Sequence, residues 1–585
     1  MKNEFARTAR HFAVAMGAAA MVATSSADDI VLYDTTGGVT DYRLTAGQTM
    51  TVYGDALTDN VNVWLNGGTL RVAGDVTIAA NITQDVASVV FIEGAHNVRF
   101  TGLLAVVGAA AGNNLVITGD VASAGSELMF SGSWDVATTK DGVFIKTGST
   151  VFTNGTFTVG GYLVWEAQAG NAVVANNAVV DVSDREGAKP SSASIPYYRP
   201  FSDDKVFEVR TGGKLRIGAY RQFIVGCGTK EHVGGSGNQV GWRSKLRITG
   251  GEIDFYQQGT SAQQQLGVAD DGIYLYGKRS DRHSDDTASI FEFSGGSLSP
   301  SGGGLFRYGP WTGTYPTYAI IKWSGGSWNV RKNYYGSQNF YLTRMKRGQD
   351  RVNMPCQITG DVTLDLTAVK HGPGVNQSID NGDVTTSAGN GRWTGTSTSS
   401  LTVIGGNGVT GSLTMYSFHP NGMGLVLTDK ARFIVHAFDR GEQRYRSLSI
   451  SSGSYLEVAT NVVLTTVGAS VPPVDRLLAP QVDVAQDVEG TLGTVRLSLA
   501  YGQSEYANAR FAPVAGGALY LSDVPDEEKL NDYELPCRFE TVENAENVES
   551  WTVFVNGVAR RARYVTCDAS GRLRVRSKGI LLIVE

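Results

Sequence analysis

The chain has 585 residues, of which 72 are glycine and 18% are charged, with a formal net charge of −6. Glycine lies well above the ~7% of an average chain and charge below the ~25%. The 42% apolar content provides for large cores and excludes disorder over the whole length. The acidic balance argues against nucleic acid as the main partner.

The N-terminus carries Lys2, Arg7 and Arg10, then the apolar run FAVAMGAAAMVA at 12–23, then polar TSSADD. A charged start, a run too short for a membrane span of ~20 residues and small exit residues spell a secretory signal peptide over 1–27. Cleavage after Ala27 is expected, with Ala23 as the other site. No later run is long enough to cross a bilayer, so the expectation is an exported chain without a transmembrane span. Its setting would be the cell surface, the extracellular space or the periplasm.

From 28 to about 184 the chain is a string of short alternating β phrases, such as NGGTLRVAGDVTI at 66–78 and GSTVFTNGTFTV at 148–159, divided by Gly, Asn and Asp. Turn signals every eight to twelve residues admit a sandwich, a barrel or a stack of coils. Reuse favours the stack: GDVT stands at 74–77 and again at 360–363, and TGDV at 118–121. No window beyond the N-terminus has the i, i+3, i+4, i+7 pattern of an amphipathic helix.

The clearest repeat is IFEFSGGSLSP at 290–300 against IIKWSGGSWNV at 320–330. Looser copies are VFEVRTGGKLRIG at 206–218 and KLRITGGEIDF at 245–255. Each reads as an alternating strand, a glycine turn and a restarting strand, with Gly296 and Gly326 at positive φ. Together these give an all-β solenoid over 28–467.

The middle of that solenoid, 185–351, is aromatic-rich and carries long polar inserts. Alternation in IFEF and IIKW sets Phe293 and Trp323 on one strand face, which reads as the core. The sharper reading makes Trp311, Tyr315, Tyr318, Tyr334 and Tyr335, beside Arg331 and Lys332, an exposed platform for sugar rings. Three prolines in GASVPPVDRLLAP mark 468–480 as a linker into a small C-terminal β domain over 481–585. In it an acid-rich stretch, 526–549, precedes a base-rich one, 560–578; the two are expected to face each other or solvent across a small antiparallel sheet, the other reading being a docking patch for an anionic surface polymer.

Strings such as NGGTLRVAGDVTI and TGGKLRIG resemble the glycine-turn repeats of autotransporter passenger domains and related bacterial surface β-helix proteins. The resemblance implies a right-handed parallel β-helix, here with a small β-sandwich-like C-terminal domain, and a surface setting with adhesive or structural work. No run of amphipathic spanning strands fills the C-terminus as it would in an autotransporter.

Chemical signatures are sparse. The densest carboxylate stretch is VADDGIYLYGKRSDRHSDD at 268–286, where Asp270 and Asp271, with Asp281, Asp285 and Asp286 further on, are the candidates for glycoside hydrolysis or loosely held calcium. Adjacent Asp270 and Asp271 would face opposite ways on a strand, and the later acids read as a solvated loop tip. The four cysteines, Cys227, Cys356, Cys537 and Cys567, have no CxxC or Cys/His spacing, which argues against zinc. Cys537 and Cys567 are the candidates for a disulfide, the other reading being two buried thiols.

Two functions follow as expectations. One is an exported structural or adhesive β-solenoid that binds an extracellular polysaccharide or cell-surface component; the other is a β-helical polysaccharide lyase or glycoside hydrolase. No motif asks for a cofactor or a metal.

Overall fold

The structure is a computed structural model. It describes residues 29–107, 113–136, 142–182, 196–202, 204–218, 222–226, 244–256, 272–275, 289–299, 304–307, 319–329, 332–333, 340–344, 356–367, 369–370, 378–380, 393–405, 412–415, 418–435, 442–451, 454–458, 463–466, 477–478, 481–484, 496–502, 507–509, 515–539 and 542–578. Among the described residues strand makes up 62% and helix 4%. Two compact units result, one reaching Ile321 and taking in 332–335 and 344–352, the other formed by 322–331, 336–343 and 353–585.

The first unit is a parallel β-helix of three sheets, each sheet pairing only with its own copies one rung on. Sheet one begins with Ile30–Leu32, Thr49–Val52, Thr69–Val72 and Ser88–Ile92. Sheet two begins with Val76–Ile78, Asn97–Phe100 and Glu127–Phe130. Sheet three begins with Asp41–Arg43, Asn62–Trp64, Asn81–Gln84 and Leu103–Val106. Later rungs merge the faces: Gly142–Thr153 and Tyr162–Ala175 each run from sheet one into sheet two, and Lys245–Tyr256 and Ser289–Ser299 from sheet two into sheet three.

In-register parallel pairing stacks like on like, so alternation along each strand becomes a column down the axis. Met50, Leu70, Val90, Ile117, Ile145, Trp165, Tyr198 and Val225 form one such inward column, all fully buried. Each buried aliphatic contributes ~1.5–3 kcal/mol. Along the axis the lumen fills with rings: Phe130, Trp134, Phe152 and Phe157 pack edge to face or stacked at 4.9–5.7 Å, followed by Trp165, Tyr198 and Phe207. Their polar ends are satisfied, Trp165 Nε1 donating to Thr150 Oγ1 and the Tyr198 hydroxyl to the Gly170 carbonyl, both at 3.0 Å. Phe293 and Trp323 are 1% and 0% exposed, so the inward reading of IFEF and IIKW holds.

The recurring phrases are the joints between rungs. In GDVT at 74–77, Asp75 accepts from the Asn97 amide at 2.8 Å; in TGDV at 118–121, Asp120 accepts from the Gly94 amide. Within the second unit's GDVT, Asp361 accepts from Ser400 Oγ at 2.6 Å. Each carboxylate brackets its rung to a neighbouring one. The glycine turns are joints too, because at the corner between sheets two and three a Cβ on Gly132 would stand 2.0 Å from the Gly102 carbonyl.

The second unit, taken by itself, is built in the same manner. Asp361–Asp365, Ser400–Ile404, Met423–Thr428 and Glu442–Ile450 form one parallel ladder, and Ser378–Asp380, Ser412–Met415, Arg432–Val435, Tyr455–Val458 and Leu477–Leu478 another. Trp323, Trp328 and Trp393 cluster in its core at 5.5–6.3 Å. Of the expected linker, 477–478 is a strand and the rest lies outside the described residues. Beyond it stand two four-stranded sheets. One is parallel through Arg496–Ala500, Ala518–Ser522 and Thr552–Val555; the other pairs Ala507–Ala509 with Tyr533–Phe539 in parallel. Both then end antiparallel, in Val558–Ala559 and in the pair Arg572–Ser577 and Arg563–Cys567. Phe539 meets Trp551 edge on between the two sheets. Acid and base stretches pair here as expected: Arg572 and Arg574 with Glu534 at 3.1 and 2.7 Å, Arg574 and Arg576 with Asp532 at 3.3 and 3.2 Å.

The expected Cys537–Cys567 disulfide is corrected. Strand Arg572–Ser577 runs between the strands that carry the two cysteines, which sets them about 9–10 Å apart, beyond the ~7 Å limit for a bridge. Cys567 accordingly keeps a free thiol.

Candidate functional site

The carboxylates Asp270 and Asp271, and the aromatic platform of Trp311, Tyr315, Tyr318, Tyr334 and Tyr335, lie outside the described residues. Among the described residues no group of three or more His, Cys, Asp or Glu could hold a metal ion, and no helix is long and apolar enough to cross a membrane.

The strongest constellation is on the outer side of sheet one, where three successive rungs, 142–146, 162–166 and Pro196–Pro200, lie in register. Alternation turns Ile145, Trp165 and Tyr198 into the lumen and so presents their neighbours outward in rows. The first row holds Tyr162. Phe144, Val164, Tyr197 and Ile224 form the second, an apolar line on the outside of the helix. Val164 is 1% and Ile224 5% exposed, whereas Phe144, Tyr162 and Tyr197 are half-buried and Phe201, at the end of the strand, is 47% exposed. Phe144 and Tyr162 lie ring to ring at 6.4 Å, tilted by 41°.

The third row is charged. Glu166 lies between two cations: Arg199 Nη2 donates to its Oε2 at 2.8 Å and Lys146 Nζ approaches its Oε1 at 3.2 Å. The Arg199 guanidinium also sits over the Tyr197 ring at 5.1 Å. Burial holds the Tyr197 hydroxyl above the usual tyrosine range, against the opposing pull of Arg199, so it is a neutral donor at neutral pH.

A distortion of the strand shapes this row. Between Ile145 and Thr147 the preceding rung has one residue where the next, between Trp165 and Gln168, has two, and Ala167 takes φ +55 to absorb the extra one. This is a β-bulge, which re-aims the side chains beside it. A non-glycine residue at positive φ is strained by about 1–2 kcal/mol. The residue it displaces is Glu166.

Charge rows occur on the other two sheets as well. On sheet three Asp181, Arg216 and Asp254 follow one another in register, beside Lys214 and Glu252, with Lys214 to Glu252 at 2.8 Å. On sheet two Glu208, Arg247 and Glu292 do the same. Alternating signs stabilise an in-register parallel stack, since like charges directly opposite would repel. Among the described residues these two rows have no aromatic side chain in register with them; the sheet-one row adjoins rings, and that combination distinguishes it. Stacking faces with a few fixed polar groups is the chemistry that recognises a sugar: rings take its apolar face, and carboxylate and guanidinium take its hydroxyls.

Sequence reading alone missed this site. Lys146, Glu166 and Arg199 stand in three different rungs with unequal connections, and only strand register unites them. Compared with the models of known protein families and with curated proteins, the chain matches none.

Proposed function

We propose that this protein is an exported or cell-surface β-solenoid with structural or adhesive work, and that it binds extracellular polysaccharide along the outer side of sheet one. The observation that carries the reading is the row of Phe144, Val164, Tyr197 and Ile224 flanked by Tyr162 on one side and the Lys146–Glu166–Arg199 network on the other. The resemblance to bacterial surface β-helix proteins and the signal-like N-terminus support the setting. A solenoid also suits a polymer, because its side chains repeat every ~4.8 Å along the axis.

A glycan array probed with the full chain and with a Phe144→Ala, Tyr162→Ala double variant tests this. Retention of a polysaccharide that the double variant loses is the expected result; no retained glycan, or equal retention by the variant, overturns it.

A hydrolytic reading draws on sheet three, where Asp181 and Asp254 lie on the rungs either side of Arg216, about 9–10 Å from each other by strand spacing. That is near the upper end of the separation of an inverting carboxylate pair. Release of new reducing ends, lost in Asp254→Asn, would establish it over binding alone.

A further inference from the structure

We infer that the saccharide taken by this strip carries a carboxylate, as a hexuronate does. The inference rests on the glycan-binding reading of the outer side of sheet one and names the class of sugar. Glu166 is divided between two cations, its Oε2 going to Arg199 and its Oε1 to Lys146. Lys146 has three donors, of which Glu166 takes one at 3.2 Å, and its side chain remains 37% exposed. Among the described residues no second acid meets it. Lys146 thus stands two residues along the strand from Phe144 on the same outward face, a Cα separation of about 6.6 Å by strand geometry, with its ammonium accessible. A sugar ring lying on Phe144 and Tyr162 would direct a carboxylate toward Lys146.

Charge complementarity selects this occupant. The chain as a whole is acidic at −6, which disfavours diffuse attraction of anions, so a polyanion would be held only where a cation is aimed at it. Glu166 acts on this site as the internal competitor for Lys146. Its removal would strengthen the hold on an external carboxylate, and that sign is opposite to what loss of a purely structural ion pair would give.

Titration calorimetry of the full chain with an oligogalacturonate and with the same oligomer after carboxyl reduction tests the inference, using Lys146→Gln and Glu166→Gln and checking each variant's Tm. The expected result is binding of the oligogalacturonate that weakens about fivefold in Lys146→Gln, tightens about fivefold in Glu166→Gln and fades with salt. The reduced oligomer should respond to neither variant. Equal affinity for both oligomers with both variants silent would overturn the anionic class and leave the aromatic platform standing. Absence of binding by either oligomer would overturn the inference, and if Phe144→Ala, Tyr162→Ala also failed to alter any array signal, the glycan reading would fall with it.

Discussion

Gly296 lies directly on Gly251, so close that a Cβ on Gly296 would stand 2.0 Å from the Gly251 carbonyl oxygen. The two belong to separate copies of the same glycine turn, distant in sequence and adjacent on the axis. Gly296 also has φ +83. Gly296→Val is therefore strained twice, by the left-handed backbone and by the contact, and should lower stability by at least about 2 kcal/mol. Chemical denaturation measures it; an unchanged midpoint would mean that the corner is built differently.

Ala167 is the reverse case. It holds φ +55 in the middle of a strand, and glycine accepts that conformation without steric penalty. Ala167→Gly should raise stability by about 0.5–1 kcal/mol after the greater freedom of the unfolded glycine is set against it. The same denaturation experiment reads the sign, and a loss comparable to Ala→Gly in an ordinary strand would remove the strain.

Cys567 should behave as a single thiol. Burial, helped by Asp568, pushes it up to about 11, so alkylation near neutral pH should be slow and should accelerate as the pH rises toward that value. Cys567→Ser should change stability by well under the ~3–4 kcal/mol that a bridge closing such a loop would contribute. A mass shift of two hydrogens on reduction, traced to Cys537 and Cys567, would contradict the strand order.

Alkaline pH should destabilise the fold. Burial raises Tyr42 to about 12 and holds Tyr198 and Tyr445 above the usual range as well. A raised folded value favours the neutral phenol in the native state. Its contribution is therefore complete below the unfolded value of ~10 and is lost as pH climbs through the folded value. Between pH 10 and 12 the decline should be shallower in Tyr42→Phe by up to about 1.4 kcal/mol per pH unit. Identical slopes would show that Tyr42 is not sheltered.

Much of this architecture was legible in the residues. SGGS and TGG announced glycine corners because only a residue without a side chain fits where backbone lies on backbone. The reuse of GDVT announced a repeated rung, and its aspartate joins neighbouring rungs, Asp75 through the Asn97 amide and Asp361 through the Ser400 hydroxyl. The outer strip was not legible, since Lys146, Glu166 and Arg199 meet through register, and unequal connections between rungs hide register from any fixed period. The bulge at Ala167 left no signal either: nothing in the residue marks it, and its positive φ is imposed by the register of the neighbouring rung. The disulfide between Cys537 and Cys567 failed for a similar reason, because nearness in sequence did not reveal the strand that runs between them.

Hydrogen–deuterium exchange of the full chain with and without a bound carboxylated polysaccharide locates the polymer on the helix. Protection confined to 142–146, 162–168 and 196–201, with 214–218 and 252–256 unchanged, is the predicted result. Protection on the Asp181–Arg216–Asp254 side of the helix, or none anywhere at saturating polymer, would contradict it.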